Sequence, residues 1–177
     1  MEKVRLRCVN GQVMVTDADV VLSLRTKHRI VGSLEGTHPT NPQQNRYLSL
    51  PLFLLPEEAA LLIAIDAVEL EGDQFQWPQT DHDQLRFRLY RDFHNRGYYL
   101  TRGIKFGGDY LLYPGDPLRY HSSHVVSLLP NRTDKITPRE IVTLGRVCTA
   151  VNKTRVLSSW NNDKDCFTHI NLNWSGF

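Results

Sequence analysis

The sequence has few cysteines, no long apolar run and no strong excess of either charge. Its only cysteines are Cys8, Cys148 and Cys166, and no two of them form a CxxC pair. This odd and widely spaced set disfavours a disulfide framework or a zinc site and suits a reducing compartment. The longest uninterrupted apolar run, Ala59–Ile65, has seven residues, far fewer than the roughly 20 that a membrane span needs.

Early acidic residues argue against a secretory signal, because Asp17 and Asp19 fall where such a signal needs an apolar region. Hydrophobic residues make up 41% of the chain and charged residues 23%. These fractions are ordinary for a globular protein and exclude disorder or a fibrous repeat for the whole chain. A length of 177 residues suits one domain or two small ones.

Charge is distributed unevenly along the chain. Residues 1–80 hold seven basic and ten acidic side chains, whereas residues 81–177 hold fourteen basic and nine acidic ones. The second half is therefore mildly basic, which suits an anionic partner such as nucleic acid, although a random surface distribution is also consistent with it.

The first half predicts a small α+β domain over residues 1–75. Two short strands flank Asn10-Gly11, a typical hairpin signal. Asp17 or Thr16 can cap a following helix, and Pro56 begins another that is expected to continue through Ala67 before a strand at Val68–Leu70. The polar stretch Glu71–Asp83 lacks periodicity and is the predicted domain boundary.

The second half predicts a domain over residues 84–177 with a mixed sheet flanked by helices. A helix is expected over about Gln84–Asn95, and the capping box at Thr137 begins another that runs to about Val151. The predicted strands are Tyr98–Leu100, Asp109–Tyr113, Val125–Leu129, Arg155–Trp160 and Phe167–Trp174. The chain as a whole is therefore predicted to be α/β.

Several familiar catalytic motifs are absent, including GxxxxGK, HExxH and GxSxG. Asp109 and Asp116 raise the alternative of a metal-dependent nuclease. No Asp/Glu-x-Lys triplet accompanies them, and two acids are a small set of oxygen ligands for Mg²⁺.

The most informative segment is Lys105–His124, KFGGDYLLYPGDPLRYHSSH. A rigid PGDP turn lies between Tyr113 and His121, which are eight residues apart. A histidine in such a place can exchange protons near neutral pH. Taken alone, each of the two residues is more often structural.

This segment resembles the signature of the tRNA-splicing endonuclease catalytic domain, and most of all that of the eukaryotic catalytic subunit that cuts the 3′ splice site. The stretches Asn45–Leu70 and Gly145–Thr154 resemble the same subunit and occur in the family's order. Members of this class often carry a long charged insert between their two domains. Here only about Glu71–Asp83 lies between them, so the chain resembles a short form.

The resemblance implies a catalytic set of Tyr113, His121 and Lys153, with neither a metal nor a cofactor. It also implies that Arg146 and Trp174 clamp a bulged RNA base in a partner's active site, as a guanidinium and an indole physically can. Imidazole suits the protonation of a leaving oxygen and a lysine suits transition-state charge. A free tyrosine has a pKa near 10. Tyr113 therefore either acts as a base whose pKa is lowered by nearby cations, or orients the 2′-OH.

The implied function is cleavage of pre-tRNA at the 3′ splice site, which leaves 2′,3′-cyclic phosphate and 5′-OH ends. The implied partners are a second catalytic subunit and small structural subunits, and the implied location is the nucleus or, in some lineages, the cytosolic face of an organelle. Phe167–Trp174 alternates apolar and polar residues, so it suits a sheet edge open to a partner, although a monomer could bury the same face. The alternative function is a noncatalytic RNA-binding or scaffolding subunit of the same complex.

Overall fold

The computed structural model describes residues 3–35, 49–129 and 136–173. The chain divides into two compact units, Met1–Phe87 and Arg88–Phe177. Each contains one five-stranded sheet with both parallel and antiparallel pairs. Four α-helices lie in the described residues, and none of them is long and apolar enough to cross a membrane. The predicted α/β class is confirmed.

A division by contacts does not show which residues fold independently. The predicted domain ranges, 1–75 and 84–177, therefore stay predictions.

The first unit has a sheet in which a hairpin lies near the centre. Its elements are β1 (Val4–Val9), β2 (Gln12–Val15), α1 (Ala18–His28), β3 (Ser33–Leu34), β4 (Leu52–Phe53), α2 (Pro56–Ala64) and β5 (Val68–Gly72). The strand order is β3-β4-β2-β1-β5. The predicted hairpin forms around Asn10 and Gly11, both of which have positive φ. Asp17 caps α1 as predicted, since its carboxylate accepts the Asp19 N–H at 2.8 Å.

α2 ends earlier than its apolar sequence predicts. The expected end was Ala67, but the helix stops at Ala64. Asp66 then takes a left-handed conformation with φ of 56°, which aspartate tolerates better than most residues do. This reversal leads the chain directly into β5.

The second unit has the strand order β10-β9-β8-β7-β6. The remaining elements of the chain are α3 (Asp81–Asn95), β6 (Tyr99–Arg102), β7 (Tyr110–Tyr113), β8 (His124–Leu129), α4 (Pro138–Ala150), β9 (Thr154–Asn161) and β10 (Cys166–Leu172). β8 and β9 are parallel, and the other neighbouring strands are antiparallel. The capping box predicted at Thr137 is present.

α3 begins at Asp81, three residues before its predicted start at Gln84. The Asp83 N–H donates to Thr80 Oγ1 at 3.1 Å, and the Thr80 N–H donates to the Asp83 carboxylate at 3.1 Å. This is a capping box with aspartate in the place usually held by glutamate or glutamine. The pattern Thr-x-x-Asp was the signal that could have identified the earlier start.

The two faces of the second sheet are covered differently. On one face Tyr90 of α3 contacts Tyr110 edge to face, with ring centroids 5.8 Å apart. On the other face Leu111 and Val125 form a buried cluster with Cys148 of α4. The α4 face carries most of the candidate site.

His169 connects β10 to both β9 and α3. Its Nδ1 lies 2.8 Å from Ser158 Oγ, and its Nε2 lies 3.0 Å from Asp92 Oδ2. Burial is the main cause that lowers the pKa of His169 below its ordinary value, and the Asp92 carboxylate partly opposes it. The folded protein therefore favours the neutral imidazole.

We predict that the chain loses stability as the pH falls below about 6.5, the ordinary pKa of histidine. In that range His169 binds a proton in the unfolded chain, whereas in the folded chain it does so only at lower pH. Protonation therefore favours unfolding. Burial shifts the pKa of His124 in the same direction. Urea unfolding between pH 7.5 and 5 measures the effect, and His169→Gln should reduce the pH slope. A variant with an unreduced slope would contradict the assignment.

Candidate active site

The three predicted catalytic residues occupy segments that meet at one edge of the second sheet, where β7 ends and β8 and β9 start. Ser123 joins these segments through its backbone. Its N–H donates to the Leu112 carbonyl at 2.9 Å, and its carbonyl accepts the Thr154 N–H at 3.0 Å. Tyr113 follows Leu112, Lys153 precedes Thr154, and His121 lies two residues before Ser123.

Strand direction explains why distant residues share this edge. β7 is antiparallel to β8, so the end of β7 lies beside the start of β8. β8 is parallel to β9, so both of these strands start at the same edge. His124 therefore pairs with Leu112 on one side and with Thr154 on the other.

Tyr113 is the last residue of β7 and is half-buried. Its ring packs against the cluster of Leu111, Val125 and Cys148 on the α4 face. Its hydroxyl accepts a hydrogen bond from Thr101 Oγ1 at 3.4 Å, which is long for a bond between two hydroxyls. The protein thus fixes the ring firmly but holds the phenolic oxygen only weakly.

Lys153 lies in the short connection between α4 and β9. Asn152 has φ of 51°, and this left-handed residue turns the chain out of the helix. The Lys153 N–H then donates to the Cys148 carbonyl at 2.9 Å. Its Nζ lies 5.2 Å from the centroid of the Phe106 ring. Among the described residues its ammonium forms no ion pair, so its charge is not neutralised by a carboxylate there.

A buried arginine holds the loop that carries Phe106. Arg155 Nη1 donates to the Gly107 carbonyl and to Ser127 Oγ, both at 2.9 Å, and Nη2 donates to the Phe106 carbonyl at 3.0 Å. The Arg155 residue is only 1% exposed. Gly108 allows the loop to lie close to the sheet, since a Cβ there would come within 2.6 Å of Val125.

Sequence reasoning identified neither Phe106 nor Arg155 as part of the site. The double glycine that follows Phe106 is typical of a close approach of the backbone, but it does not indicate which element the loop approaches. Arg155 directly precedes Val156 and Leu157 in a predicted strand. A single arginine beside such apolar residues was a signal for a buried cation.

His121 ends a loop that is stabilised from within. The Asp116 carboxylate accepts the Leu118 N–H at 2.8 Å, and the Asp116 carbonyl accepts the N–H groups of Arg119 and Tyr120 at 2.8 and 3.0 Å. The His121 residue is exposed, whereas the next residue, Ser122, is buried. No hydrogen bond or ion pair links the imidazole to the described residues, so it is accessible to a ligand.

Only one of the two predicted RNA-clamping residues, Arg146, lies in the described residues. Arg146 lies on an exposed position of α4, and Trp174 lies outside the described residues. Their assignment therefore stays a prediction.

The two acids of the metal-nuclease alternative have structural roles. The Asp109 carboxylate accepts the Leu128 N–H at 2.8 Å, and the Asp116 carboxylate closes the loop before His121. No cluster of three or more metal-ligating side chains occurs in residues 3–35, 49–129 and 136–173. The arrangement at the sheet edge instead offers an imidazole, a phenol and an ammonium, which suit proton transfer beside a phosphate.

Two family models match most of the chain between them. The one described as TSEN34-like, N-terminal domain, matches residues 4–73. The one described as tRNA intron endonuclease, catalytic C-terminal domain, matches residues 84–169. The second span contains Tyr113, His121, Arg146 and Lys153.

Curated relatives of the chain are named as tRNA-splicing endonucleases or as their subunits. The tRNA-splicing endonuclease subunit Sen34 of Mus musculus is 39% identical over 101 residues, which are 56% of this chain and 31% of that protein. The probable tRNA-splicing endonuclease subunit sen34 of Schizosaccharomyces pombe is 23% identical over 282 aligned positions, which cover 99% of each chain. The tRNA-splicing endonuclease of Hyperthermus butylicus is 32% identical over 120 residues, 67% of this chain and 63% of that protein. The chain spans about a third of the length of the mouse and human relatives that it matches.

Proposed function

The chain belongs to the tRNA-splicing endonuclease family, and on that basis we propose that it is a catalytic subunit that cleaves pre-tRNA at the 3′ splice site. One observation carries this proposal. The segments that hold Tyr113, His121 and Lys153 meet at a single sheet edge, joined through the backbone of Ser123. The His121 residue is exposed, and in the described part of the chain no carboxylate forms an ion pair with Lys153.

The reaction is an internal transesterification of the RNA backbone. The 2′-oxygen forms a bond to the adjacent phosphorus while the bond from phosphorus to the 5′-oxygen breaks. The 2′-OH proton passes to a base, and His121 supplies a proton to the leaving 5′-oxygen. The products are a 2′,3′-cyclic phosphate and a 5′-OH, and no metal ion is needed.

Lys153 and Tyr113 act on the same phosphate. The Lys153 ammonium stabilises the additional negative charge that develops on the phosphorane-like transition state. Tyr113 either accepts the 2′-OH proton or orients the 2′-oxygen for attack. Its long hydrogen bond to Thr101 supports an interaction with RNA, because a weakly held hydroxyl exchanges its partner at little cost.

The proposal includes protein partners and a nuclear location. β10 pairs only with β9 in the described part of the chain, and its Ile170 is 55% exposed. An open edge strand with an exposed apolar residue supports pairing with another subunit. We propose that the partners are a second catalytic subunit and small structural subunits, and that Arg146 and Trp174 clamp a pre-tRNA base in the partner's active site.

The alternative is a noncatalytic subunit that only binds RNA or supports assembly. The presence of all three catalytic residue types at one edge favours catalysis over this alternative. The structural roles of Asp109 and Asp116 disfavour the metal-dependent nuclease.

Removal of divalent metal tests the proposed chemistry. We predict that the chain, assembled with its partner subunits, cleaves intron-containing pre-tRNA in excess EDTA at an undiminished rate, provided that spermidine keeps the tRNA folded. The reason is that nucleophile, acid and charge stabilisation all come from RNA and side chains. Gel analysis of the fragments measures this. Loss of cleavage in EDTA that returns with Mg²⁺ would favour the metal-dependent alternative.

A further inference from the structure

We propose that Phe106 is a positioning residue for Lys153, whose ammonium its ring holds beside the sheet edge where the candidate catalytic segments meet. This inference rests on the proposed function of Lys153. It concerns a residue that does not itself touch the reacting atoms.

The contact between the two side chains has the geometry of a cation–π interaction. Lys153 Nζ lies 5.2 Å from the Phe106 ring centroid, within the roughly 6 Å over which a ring attracts a cation. The backbone of Lys153 is already fixed, because its N–H bonds to the Cys148 carbonyl and the next N–H bonds to the Ser123 carbonyl. The freedom that remains is in the long side chain, and the ring restricts it.

Both the ring and the backbone of Phe106 are held in place. It packs against the buried cluster of Leu111, Val125 and Cys148. The Phe106 carbonyl accepts a hydrogen bond from buried Arg155 at 3.0 Å, and the next carbonyl accepts one at 2.9 Å. A side chain fixed in this way is a rigid support, as precise placement of a catalytic group requires.

An aromatic ring suits this task better than a carboxylate. A carboxylate would neutralise the ammonium and occupy its N–H donors. A ring attracts the cation but leaves its full charge, and most of its donors remain available for phosphate oxygens. Phe106 thus restricts the lysine without competing with the substrate.

Phe106→Leu tests the proposal, since it keeps an apolar side chain but removes the ring. In the assembled enzyme we expect the single-turnover cleavage rate to fall about tenfold, while KM changes less than twofold. Phe106→Tyr keeps the ring and should retain most of the wild-type rate. The matched control is Phe53→Leu, which makes the same change in a half-buried phenylalanine of β4, and it should leave the rate unchanged.

A double-mutant cycle separates positioning from a general structural role. If Phe106 acts through the lysine, Phe106→Leu should slow the wild-type enzyme but have no further effect in a Lys153→Ala background. Equal effects in both backgrounds, or a Phe106→Leu enzyme with an undiminished rate, would overturn this inference alone. An undiminished rate in Lys153→Ala itself would instead refute the proposed role of the lysine, and this inference with it.

Discussion

Replacement of His121 by alanine is expected to reduce cleavage at the 3′ splice site by about 10²–10⁴-fold, the range typical for loss of a general acid. The leaving 5′-oxygen would then depart without a proton donor. The fold should be unaffected, because His121 is exposed and its loop is held by hydrogen bonds to Asp116. Single-turnover kinetics on intron-containing pre-tRNA measure the loss.

Two controls separate chemistry from structure in the His121 experiment. Cleavage at the 5′ splice site should persist, because we propose that the second catalytic subunit carries out that reaction. His82→Ala changes another exposed histidine, in the first turn of α3, and should leave both reactions intact. An undiminished 3′ cleavage rate in the His121 variant would show that this imidazole is not the acid.

Lys153→Ala is expected to slow the same cleavage step by about 10²–10³-fold, as is typical when one electrostatic donor to a transition state is removed. The effect should appear in kcat with little change in KM, because the additional charge exists only in the transition state. The matched control is Lys164→Ala, which removes an exposed lysine between β9 and β10.

The role of Lys153 depends on whether Lys153→Ala lowers the single-turnover rate or the affinity for pre-tRNA. A variant that loses affinity for pre-tRNA but keeps its single-turnover rate at saturation would place the lysine in substrate binding. That outcome would contradict a role in the chemical step.

Local sequence signals predicted much of the fold. The hairpin at Asn10-Gly11, the Asp17 cap of α1 and the Thr137 capping box of α4 all depend on residues within a few positions of one another. Both strands of the final pair were also predicted, since Phe167–Trp174 alternates apolar and polar residues and a short polar stretch separates it from Arg155–Trp160. Such elements could be identified without knowledge of the rest of the chain.

Long-range pairing could not be predicted in the same way. The parallel register of β8 and β9 joins His124 to Thr154 across an intervening helix, and no local pattern specifies it. The bonds of Ser123 to Leu112 and Thr154 follow from that register. The sequence thus indicated the residues of the candidate site through family resemblance, whereas the tertiary fold determines the shared edge on which they lie.

Arg155 shows why the residues that hold the candidate site in place could not be identified from the sequence. Its side chain bonds to Phe106 and Gly107, which precede it by 49 and 48 residues. Whether an arginine in a strand is buried depends on which face it occupies and on the loop that covers it. Two-residue strands such as β3 and β4 escape prediction for a related reason, because they are too short to show alternation.

Mapping of the RNA ends that the assembled enzyme produces at the 3′ splice site distinguishes internal transesterification from hydrolysis. We expect an intron fragment that ends in a 2′,3′-cyclic phosphate and a 3′ exon that begins with a 5′-OH. Both ends should form about 10²–10⁴-fold more slowly when this chain alone carries His121→Ala. A 3′-OH with a 5′-phosphate at that site, or the same ends formed undiminished by the His121 variant, would contradict this expectation.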